Sequence, residues 1–270
     1  RRGTTESIRS CRAQSDYRDR KRSVVDLKTK IEEAIMKYSA FSLLQNGFDR
    51  DSRWPSILPC VTPKDRYDII IVGGGAHGLA CAHYLAKNHG ITDVLVLDSA
   101  WIGGGNTGRN TAIVRSDYLL EASFKLKNFS LELWKSLSQE LNYNVMYSPR
   151  GYIDLAHSDG ELEHFMCRAN AMRLSGARAE ILSPQQIESL EPSINLHTKS
   201  RFPVSGGLFQ PDGGLVRHDA VAWGFARSAG RAGIDIVQNC GVSGFGVRNS
   251  RINWVQTVQG KIHCAKVLIT

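Results

Sequence analysis

Residues 67–98 constrain this chain more than any other stretch. YDIIIVGGG, starting at Tyr67, supplies a short continuous apolar run, Ile69 to Val72, stopped by three glycines, the pattern of a strand buried on both faces of a parallel sheet. Leu79, Ala82, Leu85 and Ala86 then share one helical face, and Asn88, His89 and Gly90 supply a stop. TDVLVLD follows as a second buried strand that ends at Asp98. The order predicts strand, tight turn, helix and strand, the βαβ setting in which a glycine-rich turn meets a nucleotide.

Within that unit, Gly73-x-Gly75-x-x-Gly78 fits a dinucleotide fingerprint. One glycine makes the turn, one admits a pyrophosphate to the backbone around Ala76 and His77, and one lets helix and strand pack closely. The helix start adds N–H groups aimed at the phosphates. Asp98 lies 20 residues beyond Gly78, where a carboxylate takes ribose hydroxyls. His77 either touches the cofactor or covers the turn. A second glycine cluster, Gly103, Gly104, Gly105 and Gly108, accompanies Asn106, Thr107, Arg109 and Arg115. This segment reads either as a thread past a flavin ring, with Asn106, Thr107 and backbone N–H groups as donors, or as an ordinary surface loop. A third cluster comprises Gly206, Gly207, Gly213 and Gly214.

Composition excludes several classes. The 270 residues are 42% hydrophobic and 22% charged, with no apolar run long enough to cross a membrane. The net charge of +8 is unevenly spread: residues 1–35 hold ten Lys/Arg against six Asp/Glu, and the other 235 hold 24 against 20. The body is thus only mildly basic, and no nucleic-acid partner is expected. Residues 1–22 read as a solvated tail, or as a basic arm for RNA or an anionic surface. The six cysteines lack any C-x-x-C pair or zinc-type histidine spacing, so no metal site is expected. Without a signal-peptide core before them, they read as reduced thiols in a cytoplasmic protein.

The rest of the chain divides by pattern. Residues 1–66 read as an extension and connector, the first 35 of them upstream of or processed from the folded body. Residues 67–145 read as the first part of a cofactor-binding domain, 146–212 as an interleaved α+β substrate segment, and 213–270 as the second part of the cofactor domain. Helices are predicted from about Asn128 to Asn142, from Asp159 to Leu174, over SPQQIESLEP, and from an Asp219 cap to about Ala232. VMYSPRGYIDLAHS reads as a half-exposed strand pair, and Arg201 to Gln210 as extended. Residues 241–270 read as an antiparallel meander returning to a buried strand, AKVLIT. That strand lacks a following turn, so the chain is expected to be an amino-terminal fragment. The expected fold class is α/β: a Rossmann-like domain with a central parallel sheet plus meander, and an interleaved α+β domain.

Four stretches carry a resemblance: YDIIIVGGGAHGLACAHYLAKNHGITDVLVLD, GGGNTGRNTAIVRSDY, LNYNVMYSPRGYIDLAH and VRHDAVAWGFARSAGRAGIDIVQNC. Together they resemble the beta subunits of heterotetrameric sarcosine oxidases, members of the D-amino-acid-oxidase-like FAD-dependent oxidoreductases. The resemblance covers about residues 37–270. It implies oxidation of sarcosine to glycine, with the methyl carbon passing to tetrahydrofolate and oxygen reduced to hydrogen peroxide. It further implies non-covalent FAD, and FMN attached covalently to His218. Alpha, gamma and delta partner subunits are implied, with NAD and the folate site on the partner.

By the same resemblance, Arg115 matches an arginine that holds the substrate carboxylate, for which a guanidinium fork is well suited. From the residues alone, a structural salt bridge or a phosphate contact is an equal reading. Arg109 is assigned to flavin positioning, Val242 to a backbone contact with adenine, and Arg217 to a cation beside FMN. The third glycine cluster would let the chain pass close to FMN. Three departures stand out: Asp98 replaces the usual Glu, Asp117 stands where relatives often have Asn, and Arg217 where they often have Lys. Another amine or amino-acid oxidoreductase of the same flavin class, of glycine, dimethylglycine or opine type, shares the arginine signature. A truncated, non-catalytic flavin-binding subunit is a further alternative.

Overall fold

A computed structural model describes residues 58–196 and 201–270. The extension over 1–35, the stretch that starts at Met36 and most of the 49–66 connector lie outside the described residues. In chain order the elements are β1 (Arg66–Val72), α1 (Ala76–His89), β2 (Val94–Leu97), β3 (Ile113–Val114), α2 (Glu121–Glu140), β4 (Tyr152–Ala156), α3 (Asp159–Leu174), β5 (Glu180–Leu182), α4 (Pro184–Leu190), β6 (Gly206–Gln210), β7 (Gly214–Leu215), α5 (His218–Arg231), β8 (Asp235–Val237), β9 (Val242–Arg248), β10 (Arg251–Thr257) and β11 (Gly260–Ile269).

The described residues form two compact units, the first built from 58–73, 85–100 and 230–269. Its sheet has the order β8-β2-β1-β11-β10-β9. The first four strands are mutually parallel, and β10 and β9 add on antiparallel. This is the parallel sheet with meander that the sequence predicts, but AKVLIT at the end of β11 is not the buried strand expected, since Leu268 and Ile269 are exposed. The four-residue β2 is wholly buried, as a strand covered on both faces must be. Tyr67, Ile70, Leu95, Leu97, Val255, Ile262 and Cys264 meet in one core. Burial of each large aliphatic side chain there contributes about 1.5–3 kcal/mol. The Tyr67 hydroxyl reaches the edge strand and donates to Asp235 Oδ2 at 2.7 Å.

The second unit holds 74–84 and 101–229. A three-stranded antiparallel sheet, β4-β6-β5, forms its frame. Phe124 of α2 and Ala169 and Met172 of α3 pack with Ala179 and with Leu208 of β6. The α3 bounds match the predicted Asp159–Leu174, because Ser158 caps it through the Glu161 N–H. Ser183 and Gln186 form a capping box on α4, with Pro184 in the first turn.

Four further expectations need correction. Helix α2 begins at Glu121, seven residues before the predicted start at Asn128, because Leu120 precedes it in extended conformation with no side-chain cap to announce it. The predicted strand pair over 145–158 is one strand, β4, with only an isolated bridge at Ser148 before it. Asp219 lies inside the first turn of α5 rather than capping it. Cys60 is disulfide-bonded, whereas Cys81, Cys167, Cys240 and Cys264 are free. Motif spacing detects metal-type cysteine pairs but is blind to bridges between remote cysteines. Among the described residues, no helix is long and apolar enough to cross a membrane.

Candidate functional site

The glycine turn opens where β1 ends. Gly73 has φ +119°, a conformation that side-chain-bearing residues rarely adopt, and its N–H donates to Leu97 O at 2.8 Å. A Cβ on Gly75 would lie 3.1 Å from Thr107 Oγ1, so the Thr107 hydroxyl fills the space beside this glycine. Helix α1 starts at Ala76 with no acidic residue in its first turn, leaving its positive end uncompensated, and Gly78 is buried against its surroundings. These features fit a pyrophosphate. One detail differs from expectation: the Ala76 N–H is engaged, donating to Thr107 Oγ1 at 2.9 Å. His77 is exposed.

Asp98 follows β2 directly, where its Oδ1 accepts from the Ala100 N–H at 2.8 Å. Its backbone is fixed on two sides, donating to Val237 O and accepting from the Cys240 N–H. Val242 is the first residue of β9 and is half-buried. In the second glycine cluster, Asn106 to Arg109 form a single 3₁₀ turn with Asn106 and Arg109 exposed. Gly108 is required because a Cβ there would lie 2.7 Å from Gly103 O.

Arg115 lies just beyond β3, in a cluster of ionisable side chains with Asp117, Asp154 and Arg168. Its Nη1 donates to Asp117 Oδ2 at 2.8 Å and lies 3.7 Å from Asp154 Oδ2. Its guanidinium sits 5.0 Å from the Tyr152 ring centroid. Arg168, from α3, pairs with Asp154 and lies 3.3 Å from Asp117 Oδ2. The Tyr152 hydroxyl donates to Asp154. The Asp117 side chain is 1% exposed, against 36% for Arg115. Asp117 Oδ1 and Arg168 Nε are buried without a hydrogen-bond partner.

Electrostatics separates the two carboxyl groups. Burial pushes Asp117 up to about 6, against the pull of Arg115 and Arg168. Burial works the same way on Asp154, but hydrogen bonds from Tyr152 and Arg168, with the charge of Arg168, outweigh it and hold the group below its ordinary range. Tyr152 is pushed up to about 12 by burial and by its bond to Asp154. Burial opposes the charge on Arg115, yet Asp117, Tyr152 and Asp154 more than restore it. The arrangement is a half-exposed guanidinium backed by carboxylates.

Of this group, Arg115 and Asp117 were singled out in the sequence, whereas Tyr152, Asp154 and Arg168 were not. The alternation of a strand was a usable signal, since Tyr152 and Asp154 fall on one face of β4. Arg168 carried none, because only the packing of α3 brings it there.

His218 is the first residue of α5 and is half-buried. The approach to it is pinned: the Val216 N–H donates to Ala112 O at 3.0 Å and the Arg217 N–H to Val145 O at 3.1 Å. Arg217 Nε donates to Asp219 Oδ1 at 2.8 Å, which holds the Asp219 carboxyl below its ordinary value. In the third glycine cluster the chain itself makes a close approach. Cβ atoms on Gly206 and Gly207 would lie 2.9 Å from Leu182 O and 2.8 Å from Asp154 O, and one on Gly213 would lie 2.9 Å from Tyr152 Cβ. Gly214 is closed off by Ser148 O.

Comparison with known proteins follows the same lines. The DAO family, described as FAD dependent oxidoreductase, matches residues 68–270. The sarcosine oxidase subunit beta of Rhizobium meliloti (strain 1021) is 48% identical over 87% of this chain and 56% of its own length. The sarcosine oxidase subunit beta of Arthrobacter sp is 47% identical over 77% of this chain and 51% of its own. Among solved structures, L-proline dehydrogenase from P.horikoshii superposes with TM-score 0.70 at 26% identity, covering 77% of this chain and 53% of that one. Glycine oxidase from Bacillus cereus ATCC 14579 shares the fold, with TM-score 0.66 at 23% identity, over 76% of this chain and 55% of its own. The chain spans about half the length of the curated relatives it matches.

Proposed function

The chain belongs to the family of FAD dependent oxidoreductases, and on that premise we propose that it is part of a subunit that oxidises sarcosine to glycine. The observation that carries this reading is the identity of 48% and 47% to two sarcosine oxidase beta subunits across most of the chain. The turn at Gly73, Gly75, Ala76 and Gly78 would hold the FAD pyrophosphate, and Asp98 its ribose. His77, Asn106, Thr107, Arg109 and Val242 would complete the contacts, with residues 67–145 and 213–270 as the cofactor domain and 146–212 facing substrate. FAD, when bound, supplies the two-electron oxidation.

The chain's own residues provide position and charge. Arg115 holds the substrate carboxylate on its exposed side, while Asp117, Asp154 and Tyr152 fix the guanidinium from behind. His218, with Arg217 beside it, would hold covalent FMN. In the full assembly, oxygen is the terminal acceptor and yields hydrogen peroxide. The methyl carbon passes to tetrahydrofolate on an alpha subunit that also carries NAD, with gamma and delta subunits completing the heterotetramer.

A second reading has one observation behind it: the TM-score of 0.70 at 26% identity to a proline dehydrogenase. An arginine anchor serves any amino-acid carboxylate, so oxidation of glycine, dimethylglycine or an opine is the competing substrate choice. Rate measurements on the full-length protein with sarcosine, glycine, dimethylglycine and proline separate the two. The highest kcat/KM is expected with sarcosine, and a preference for another amine overturns the substrate assignment. Proteolysis of the same protein is expected to release a flavin-bearing peptide that contains His218. A His218 peptide without flavin removes the FMN assignment.

A further inference from the structure

We propose that Asp117 is a proton-linked positioning residue, taking up one proton from solvent when a substrate carboxylate settles on Arg115. The inference rests on the reading of Arg115 as the carboxylate anchor.

Charge balance in the cluster carries the argument. Two guanidiniums, Arg115 and Arg168, face two carboxyl groups, Asp117 and Asp154. A third carboxylate from substrate leaves three negative groups against two positive ones, in a place where the Asp117 side chain is 1% exposed. Buried charge that is not paired is costly, and neutralisation by a proton is the usual relief. The groups that face Asp117 are Arg115 from its own segment, Tyr152 and Asp154 from β4 and Arg168 from α3. Tyr118 stands further out, against the Arg115 guanidinium, with Lys127 over the Tyr118 ring.

Among these, Asp117 is the group suited to accept the proton. Its Oδ1 is buried and has no partner, so a proton displaces no existing bond. Its Oδ2 is shared between Arg115 and Arg168, and protonation loosens the hold on Arg115. Asp154 is bonded to Tyr152 and Arg168 and is held ionised. Asp117, pushed up to about 6, sits close enough to neutrality for a second anion to tip it. The bookkeeping is one solvent proton onto Asp117 for each carboxylate bound, with no covalent change. An asparagine at this position would give the same shape with no such proton demand.

The test is titration of the full-length, flavin-loaded protein in its native assembly with acetate, an unreactive carboxylate, followed by flavin absorbance from about pH 6 to about pH 8. The acetate dissociation constant is expected to rise about tenfold per pH unit above the Asp117 pKa. The slope is expected to vanish in Asp117→Asn. A flat wild-type profile, or a slope that survives in Asp117→Asn, overturns the proton claim. Arg115→Gln tells that failure from failure of the anchor: acetate binding unchanged in this variant brings down both readings. Loss of binding there with a flat wild-type profile brings down the proton claim alone. If Asp117→Asn does not fold, calorimetry of wild type in two buffers of different ionisation enthalpy decides, with uptake of one proton expected and none contradicting.

Discussion

Thr107 Oγ1 accepts the first amide of α1, the Ala76 N–H, at 2.9 Å. The loop after β2 therefore completes the helix start that the glycine turn creates. Thr107→Val keeps the shape but leaves that N–H without its acceptor, at a cost of about 1 kcal/mol. Denaturant unfolding of the full-length protein followed by circular dichroism checks this, with Thr107→Ser expected to retain most of the stability. A Thr107→Val variant as stable as wild type would show that solvent satisfies Ala76 equally well.

Gly246 lies under the Trp254 indole on the paired strands β9 and β10. A Cβ there would overlap the ring, which also carries Lys261 Nζ 4.3 Å from its centroid. Gly246→Ala is expected to destabilise the fold by about 1–3 kcal/mol. In a Trp254→Ala background the penalty is expected to shrink to a few tenths, a coupling that a double-mutant cycle reads directly. Equal penalties in both backgrounds contradict the packing assignment.

The buried carboxyl group of Asp117 makes stability depend on pH with a defined sign. Its folded pKa, about 6, is raised from 3.8, so between those values the folded chain binds a proton that the unfolded chain does not. That contribution to stability is present below about pH 4 and is lost as pH rises through about 6. Asp117→Asn is therefore expected to gain stability relative to wild type as pH rises from about 4 to about 7. Thermal unfolding of both proteins across that range measures it. A constant or opposite difference contradicts the sign.

Much of the fold was legible because local and global signals agreed. The apolar run from Ile69 to Val72 and the glycines after it admit one reading, and β1 with its turn follows it. Helix α3 falls on its predicted bounds and is capped by Ser158, whereas α2 hid its first turn behind an uncapped Leu120. The candidate site was legible only in part. Asp117 stood out as a departure from relatives, but its meaning depends on Asp154 and Arg168, which tertiary packing brings to it from β4 and α3. The third glycine cluster shows the reverse. A run of glycines signals close approach without naming what approaches, and here it is Leu182, Asp154, Tyr152 and Ser148 of the same chain.

The most direct test is anaerobic mixing of the full-length, flavin-loaded protein with sarcosine while flavin absorbance is recorded. Sarcosine is expected to bleach the flavin in wild type, and Arg115→Gln to slow bleaching by about a hundredfold or more while the protein stays folded. A flavin that sarcosine leaves oxidised, or an Arg115→Gln variant reduced as fast as wild type, contradicts the account.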